Sequence, residues 1–300
     1  MWFVFSVCAA LCFGLRGILY QWTSQRPVDQ NILLFGIYVS GALIPIGINL
    51  YFNQPWSFEV WPGVLMGLFS FIANAAMFKG YAVGKASIIA VLTGFPPLVV
   101  ALSAYILWGE SLDNLQMGGF IILIFSLLVI RYDREFKVGK LQGLKWGLLT
   151  MFFFGLTDVS SKQATLLEAA TLPVLTMMYG TGAVGFAGLY LWNNWKSSRN
   201  NIEDEKLRIA TYGRATSGLW AKKHTLIWGL FIGISNVAGM IFLMSAFRLG
   251  TTGLVSAISS MNIVIVLLYA RFYLKETLGF RVGSGLTLAL VGVLILRLAT

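Results

Sequence analysis

Apolar residues in this chain come in long unbroken runs separated by short polar gaps. A helix needs about 20 residues to cross a bilayer. Windows of that size pick out ten runs: Trp2–Trp22, Ile32–Phe52, Val60–Phe78, Ser87–Trp108, Leu115–Ile130, Trp146–Leu166, Leu172–Trp192, Leu226–Phe247, Leu254–Leu274 and Leu278–Leu298. The runs are continuous rather than alternating, which predicts helices and argues against barrel strands. One gap is long: Asn193–Thr225 carries the mixed-charge stretch KSSRNNIEDEKLR, read as a surface helix. Eight of the ten tryptophans fall at or near span ends, where an amphipathic ring prefers the headgroup level. The other two, Trp195 and Trp220, fall in the long gap. The first run is longer than the apolar core of a signal peptide and follows no basic segment, so it reads as a retained span.

Composition turns these runs into a class. Of 300 residues, 57% are apolar and 11% charged, with a mean hydropathy of +0.77, whereas a soluble domain carries about 25% charged residues. The chain is therefore expected to be an all-α polytopic membrane protein. Charge placement then gives orientation. Eighteen of the 22 Lys and Arg fall on the side opposite the termini, three fall on the termini's side, and Arg16 lies inside a span. A basic excess marks the cytoplasm. Both termini are expected outside the cell membrane, and the net charge of +10 becomes a cytoplasmic rim facing anionic lipid, with no nucleic-acid partner implied.

The chain also repeats itself. A shift of 141 residues lays FGLRGILYQ (Phe13–Gln21) on FGLTDVSSK (Phe154–Lys162) and IYVSGA (Ile37–Ala42) on MYGTGA (Met178–Ala183). Further on, a shift of 166 residues lays Gly63, Gly67, Gly84 and Glu110 on Gly229, Gly233, Gly250 and Glu276. The difference is the extra length of the long gap. The expectation is two five-helix halves, residues 1–135 and 136–300, with 193–225 inserted as a cytoplasmic loop in the second. An odd number of spans per half inverts the second copy, an arrangement by which many carriers place one site between two halves.

Each half opens with an aromatic-Gly-Leu-polar element and closes with a Gly-Glu or Lys-Glu turn, LWGES at Leu107–Ser111 and YLKET at Tyr273–Thr277. In this the chain resembles the EamA-type branch of the drug/metabolite transporter superfamily over nearly its whole length. The resemblance implies a ten-helix basket with a central cavity lined by spans one, three, four, six, eight and nine. It leaves the substrate open among amino acids, nucleotide sugars and polyamine-like cations. The chain departs from the family in two places. Arg16 stands where the first helix often has a small polar residue, and the proline often found in spans four and nine survives only as Pro96–Pro97, with Asn262 in the ninth.

Ionisable groups within spans cost of order 2.5–3.5 kcal/mol on insertion scales and tend to face water-filled cavities. Asp158 is the one acid well inside a span and Arg16 the deepest base. The repeat aligns Arg16 with Thr157 and Gly17 with Asp158, so the two charges should face each other across the pseudo-two-fold axis. At about 1.5 Å per residue they lie roughly 5 Å either side of the midplane, which leaves a direct pair open. The alternative for Arg16 is snorkelling to the cytoplasmic headgroups. Lys162 reads as an interface anchor, or as an i, i+4 partner of Asp158.

Softer candidates are Gln21, Asn74, Thr93, Ser160, Ser161, Asn236, Ser256, Ser259, Ser260 and Asn262, although such side chains more often bond a neighbouring helix than a ligand. Pro96–Pro97 is expected to kink the fourth span and free carbonyls towards the cavity. Tyr81 and Phe247, equivalent in the repeat, read as interface anchors or as gates of a mouth. The Gly63/Gly67 and Gly229/Gly233 pairs read as close helix packing.

Chemistry beyond binding is thinly supported. Cys8 and Cys12 share a helix face without a metal-site partner, His224 lies in the long gap, and GYAVGK (Gly80–Lys85) is one residue short of a phosphate loop. No cofactor or metal is expected, and one Asp with one Arg is too little for an intramembrane enzyme. The reading is a secondary transporter of a small polar metabolite such as an amino acid, working as an exporter, with a proton as candidate co-substrate. The alternative is a flippase for a lipid-linked sugar or phosphate head group.

Overall fold

The computed structural model describes residues 1–24, 26, 28–83, 92–131, 143–199, 222–273 and 280–298. Most of the 193–225 gap, Lys85 with Gly84, the start of the fourth span and Glu276 lie outside them, as do the side chains of Gln21 and Tyr81. The described elements are α1 (Trp2–Ser24), α2 (Gln30–Phe52), a 3-10 turn (Phe58–Val60), α3 (Pro62–Val83), α4 (Pro96–Trp108), α5 (Asn114–Arg131) and α6 (Leu144–Leu166). They continue as α7 (Thr171–Arg199), α8 (Lys222–Leu249), α9 (Thr252–Ser259), α10 (Asn262–Phe272) and α11 (Phe280–Leu298). Five of these are long and apolar enough to cross a membrane by themselves. Large apolar side chains such as Leu11, Leu43, Ile121 and Leu294 stand exposed on the outside, as suits a surface solvated by lipid. The chain is an all-α polytopic membrane protein.

Local chemistry sets the helix ends. The Asp29 carboxylate accepts from the Asn31 and Ile32 amides at 2.9 and 3.3 Å and so caps α2. Asp113 and Gln116 form a reciprocal capping box at α5, at 2.8 and 3.3 Å. Gly109 ends α4 in the left-handed region at φ 66, the usual task of a glycine after a helix. One boundary corrects the sequence reading. Polar residues after Trp192 continue α7 to Arg199, so Trp195 belongs to this helix and lies 5.6 Å from Trp192.

The packing obeys an inverted two-fold relation between two five-helix halves. Helix α1 packs on α8 as α6 packs on α3, and α2 packs on α8 as α7 packs on α3. Helix α1 lies against α9 and α10 as α6 lies against α4, while α2–α7, α4–α9 and α5–α11 pair across the axis. The register holds residue by residue. A Cβ at Gly63 would meet the Val174 carbonyl and one at Gly229 the Leu33 carbonyl, which are equivalent under the 141-residue shift. A Cβ at Gly41 would strike the Tyr179 ring and one at Gly182 the Tyr38 ring, again equivalent pairs. These glycines let backbones approach to a distance a methyl group would forbid.

Trp2 lies against Gly250, and the Arg297 guanidinium sits 6.0 Å from the Phe3 ring. The start of α1, the α8–α9 junction and the end of α11 therefore share one face, here called the terminal face; the opposite one is the loop face.

Two helices start within spans, at equivalent places of the repeat. In the fourth span a turn at Thr93–Gly94 precedes the start of α4 at Pro96. In the ninth, α9 stops at Ser259 and α10 starts at Asn262. At Pro96–Pro97, where a kink was expected, the described residues show a turn followed by a helix start. The run Leu254–Leu274, read as one helix, is two, and this break forms without a proline.

Candidate functional site

Where the two helix starts and the two halves meet, the interior opens into a cavity of about 260 Å³. Arg16, Asn74, Pro96, Asp158, Asn236, Ser259 and Asn262 all line it. Most of the wall comes from spans one, three, four, six, eight and nine, with Tyr38 of α2 and Met178 of α7 added.

Arg16 reaches into this wall. Its Nη1 donates to Asn236 Oδ1 at 2.6 Å, and its guanidinium lies 4.8 Å from the Phe13 ring and 5.8 Å from the Tyr20 ring. Bonded to α8 and stacked on two aromatic faces, the side chain does not extend to headgroup level. Asp158 takes a different partner: its Oδ2 accepts from Ser256 Oγ at 2.7 Å. The two charges border one cavity but form no direct pair.

A second polar cluster joins Asn74, a candidate from the sequence, to Tyr38 and Ser70, which the sequence did not single out. Tyr38 Oη and Ser70 Oγ are 2.5 Å apart, and Asn74 Nδ2 donates to Tyr38 Oη at 3.1 Å and to the Ser70 carbonyl at 2.8 Å. Tyr38 carries no charge, so nothing made it conspicuous. Its alignment with Tyr179 in the IYVSGA/MYGTGA repeat was the available signal.

Beyond Asp158, towards the terminal face, the interior is shut. Phe247 and Thr252 have no exposed surface and Lys162 is 7% exposed. Lys162 Nζ donates to the carbonyls of Phe247 (2.9 Å) and Gly250 (3.2 Å) and pairs with Glu110 Oε1 at 3.2 Å. Glu110 in turn accepts from the Thr252 amide at 2.7 Å and the Thr252 hydroxyl at 2.9 Å. Arg248 Nη2 donates to the Ala169 carbonyl at 2.9 Å, and Trp108 Nε1 to Gln163 at 3.3 Å. Lys162 is therefore neither an interface anchor nor the partner of Asp158, and Phe247 is a core residue rather than a headgroup-level anchor. On the other side the cavity runs towards the loop face as far as Tyr20, Met77 and Thr93.

Inverted helical halves, apolar outside, around a polar cavity are the architecture of a membrane transporter. The chain belongs to the EamA-like transporter family, whose profile matches residues 1–132 and 141–298. An uncharacterized transporter of Archaeoglobus fulgidus is 24% identical over 307 residues, covering 98% of this chain and 96% of that protein. A crystal structure described only as that of a protein superposes with a TM-score of 0.73 at 14% identity, over 100% of this chain and 99% of that one. At that identity the likeness speaks to the fold alone. The protein is a multi-pass membrane transporter.

Proposed function

We propose that the protein is a secondary carrier that moves a small polar metabolite, such as an amino acid or a related compound, outward across the cell membrane by alternating access. The halves 1–135 and 136–300 rock about the central cavity. The observation that carries this reading is the polar cavity on the pseudo-two-fold axis, bordered by Arg16 and Asp158 and closed towards the terminal face. Its volume, about 260 Å³, lies just below the usual range for drug-sized ligands, about 300–1,000 Å³, and suits a compact metabolite. The basic rim puts both termini outside, so the cavity in this state reaches towards the cytoplasm, where an exporter loads.

Asp158 is the protonatable group of the cavity and the candidate for coupling. Counterflow of radiolabelled amino acids and amines in proteoliposomes tests the reading. The expected result is saturable accumulation that depends on pH in the native chain and no longer does in Asp158→Asn. Scrambling of a labelled lipid head group without solute accumulation would instead make the protein a flippase.

A further inference from the structure

The starts of α4 and α10 are equivalent in position but not in chemistry. Helix α4 begins with Pro96 and Pro97, which have no N–H to leave unpaired. Helix α10 begins at Asn262 with an ordinary backbone, and its N-cap residue, Met261, makes no side-chain capping bond. The Val264 amide bonds the Met261 carbonyl at 2.9 Å, which leaves the Asn262 and Ile263 amides as the first of the helix, with no acceptor within it, in the middle of a membrane span. Ser260 and Asn262, on either side of this start, both line the cavity.

A second, independent observation lies three residues before Asn262. Ser259 is 6% exposed, lines the same cavity, and its hydroxyl has no hydrogen-bond partner. A buried hydroxyl left unpaired costs about 1–3 kcal/mol, a penalty that a bound acceptor would remove. The Arg16 cation borders the same space, and α1 packs directly on α10 through Gly14 against Ile265 and Gly17 against Val266. On this side of the cavity the charge is the Arg16 cation, the α10 amides are donors, the Ser259 hydroxyl can donate, and the helix dipole at α10 adds partial positive charge. The carboxylate of the cavity, Asp158, is already engaged by Ser256.

We infer that the start of α10, with Ser259 and Arg16, is an anion subsite that receives the carboxylate or phosphate group of the transported molecule. This rests on the reading of the cavity as a substrate site. It assigns the two helix starts different tasks. The α4 start, silenced by its prolines, shapes the cavity, and the α10 start holds the ligand's negative end, as half-helix starts do for anions in other carriers.

Asn262→Pro is the discriminating variant. It removes one amide donor at the first helical position, where proline is tolerated, and reproduces what Pro96 already does in the other half. Asn262→Ala keeps the amide and removes only the side chain. Purified protein in detergent is heated at fixed ionic strength and chloride with acetate, methyl phosphate or ethylammonium, and unfolding is followed by tryptophan fluorescence. The native chain should be stabilised saturably by acetate or methyl phosphate and not by ethylammonium; the more effective anion identifies the head group.

Asn262→Pro and Ser259→Ala should each bind that anion about tenfold more weakly, as expected for a lost bond to a charged group. Asn262→Ala should stay within about threefold of the native chain, since it keeps the backbone donor. Stabilisation by ethylammonium alone, no saturable anion effect, or equal binding in Asn262→Pro and the native chain would overturn the subsite. Counterflow separates this from the carrier reading. Anion binding without accumulation leaves the subsite standing and removes the carrier, whereas amine transport indifferent to Asn262→Pro does the reverse.

Discussion

Lys162 is a buried cation that the sequence places at the end of an apolar run and the fold turns into a cross-brace. Its ammonium joins α6 to the α8–α9 junction and to Glu110 at the end of α4. Removing one partner of a buried pair costs about 3–5 kcal/mol, because the other charge is stranded. Lys162→Met is therefore expected to lower the melting temperature in detergent, and Lys162→Met with Glu110→Gln to recover part of the loss. A single variant as stable as the native chain would show that the pair is idle. The repeat makes the brace one-sided: Gln21 is equivalent to Lys162, while the equivalent of Glu110 is again an acid, Glu276. At this scale Arg16 and Asp158 were legible because a charge inside an apolar run is conspicuous. Of the Tyr38–Ser70–Asn74 cluster, only Asn74 was. Hydroxyls are common in spans and mostly bond their own helix, as Thr157 does with the Phe153 carbonyl at 2.9 Å, so sequence alone does not separate a cavity hydroxyl from a structural one.

Among the elements, the spans were readable to within a few residues, because bilayer thickness fixes their length and lipid fixes their hydrophobicity. The failures lie where neither constraint acts. Helix α7 runs on past Trp192 because a helix leaving the membrane needs no apolar residues to continue. The break before Asn262 carries no proline or glycine at Ser259–Asn262, and tertiary packing against α1 and α4 decides it. The glycines, by contrast, were informative: Gly63, Gly67, Gly229 and Gly233 each lie against a backbone carbonyl of the neighbouring helix. Within α2 the contrast between two glycines gives a controlled test. Gly41→Ala forces a methyl into the Tyr179 ring, whereas Gly47 has open space where a Cβ would be. Overpacking costs about 1–3 kcal/mol, so Gly41→Ala should melt several degrees lower in detergent and Gly47→Ala should show no loss. Equal melting temperatures would contradict the close α2–α7 contact.

For the whole molecule, the repeat is the feature from which the rest follows. Because the halves are inverted, the positions that close the terminal face have sequence equivalents in the other half, where Gln21 and Glu276 take the places of Lys162 and Glu110. The closed face here is the one carrying Lys162 and Glu110, and the proposed alternating access requires the two faces to close in turn. The most direct test is access to the cavity from both sides. With Cys8 and Cys12 replaced by serine and a single cysteine introduced by Ser260→Cys, a membrane-impermeant maleimide is applied to sealed vesicles of either orientation. The account predicts labelling from the loop face at rest, and labelling from the terminal face that rises when Lys162→Met loosens the brace. Labelling from one face only, whatever the state of Lys162, would contradict alternating access through this cavity.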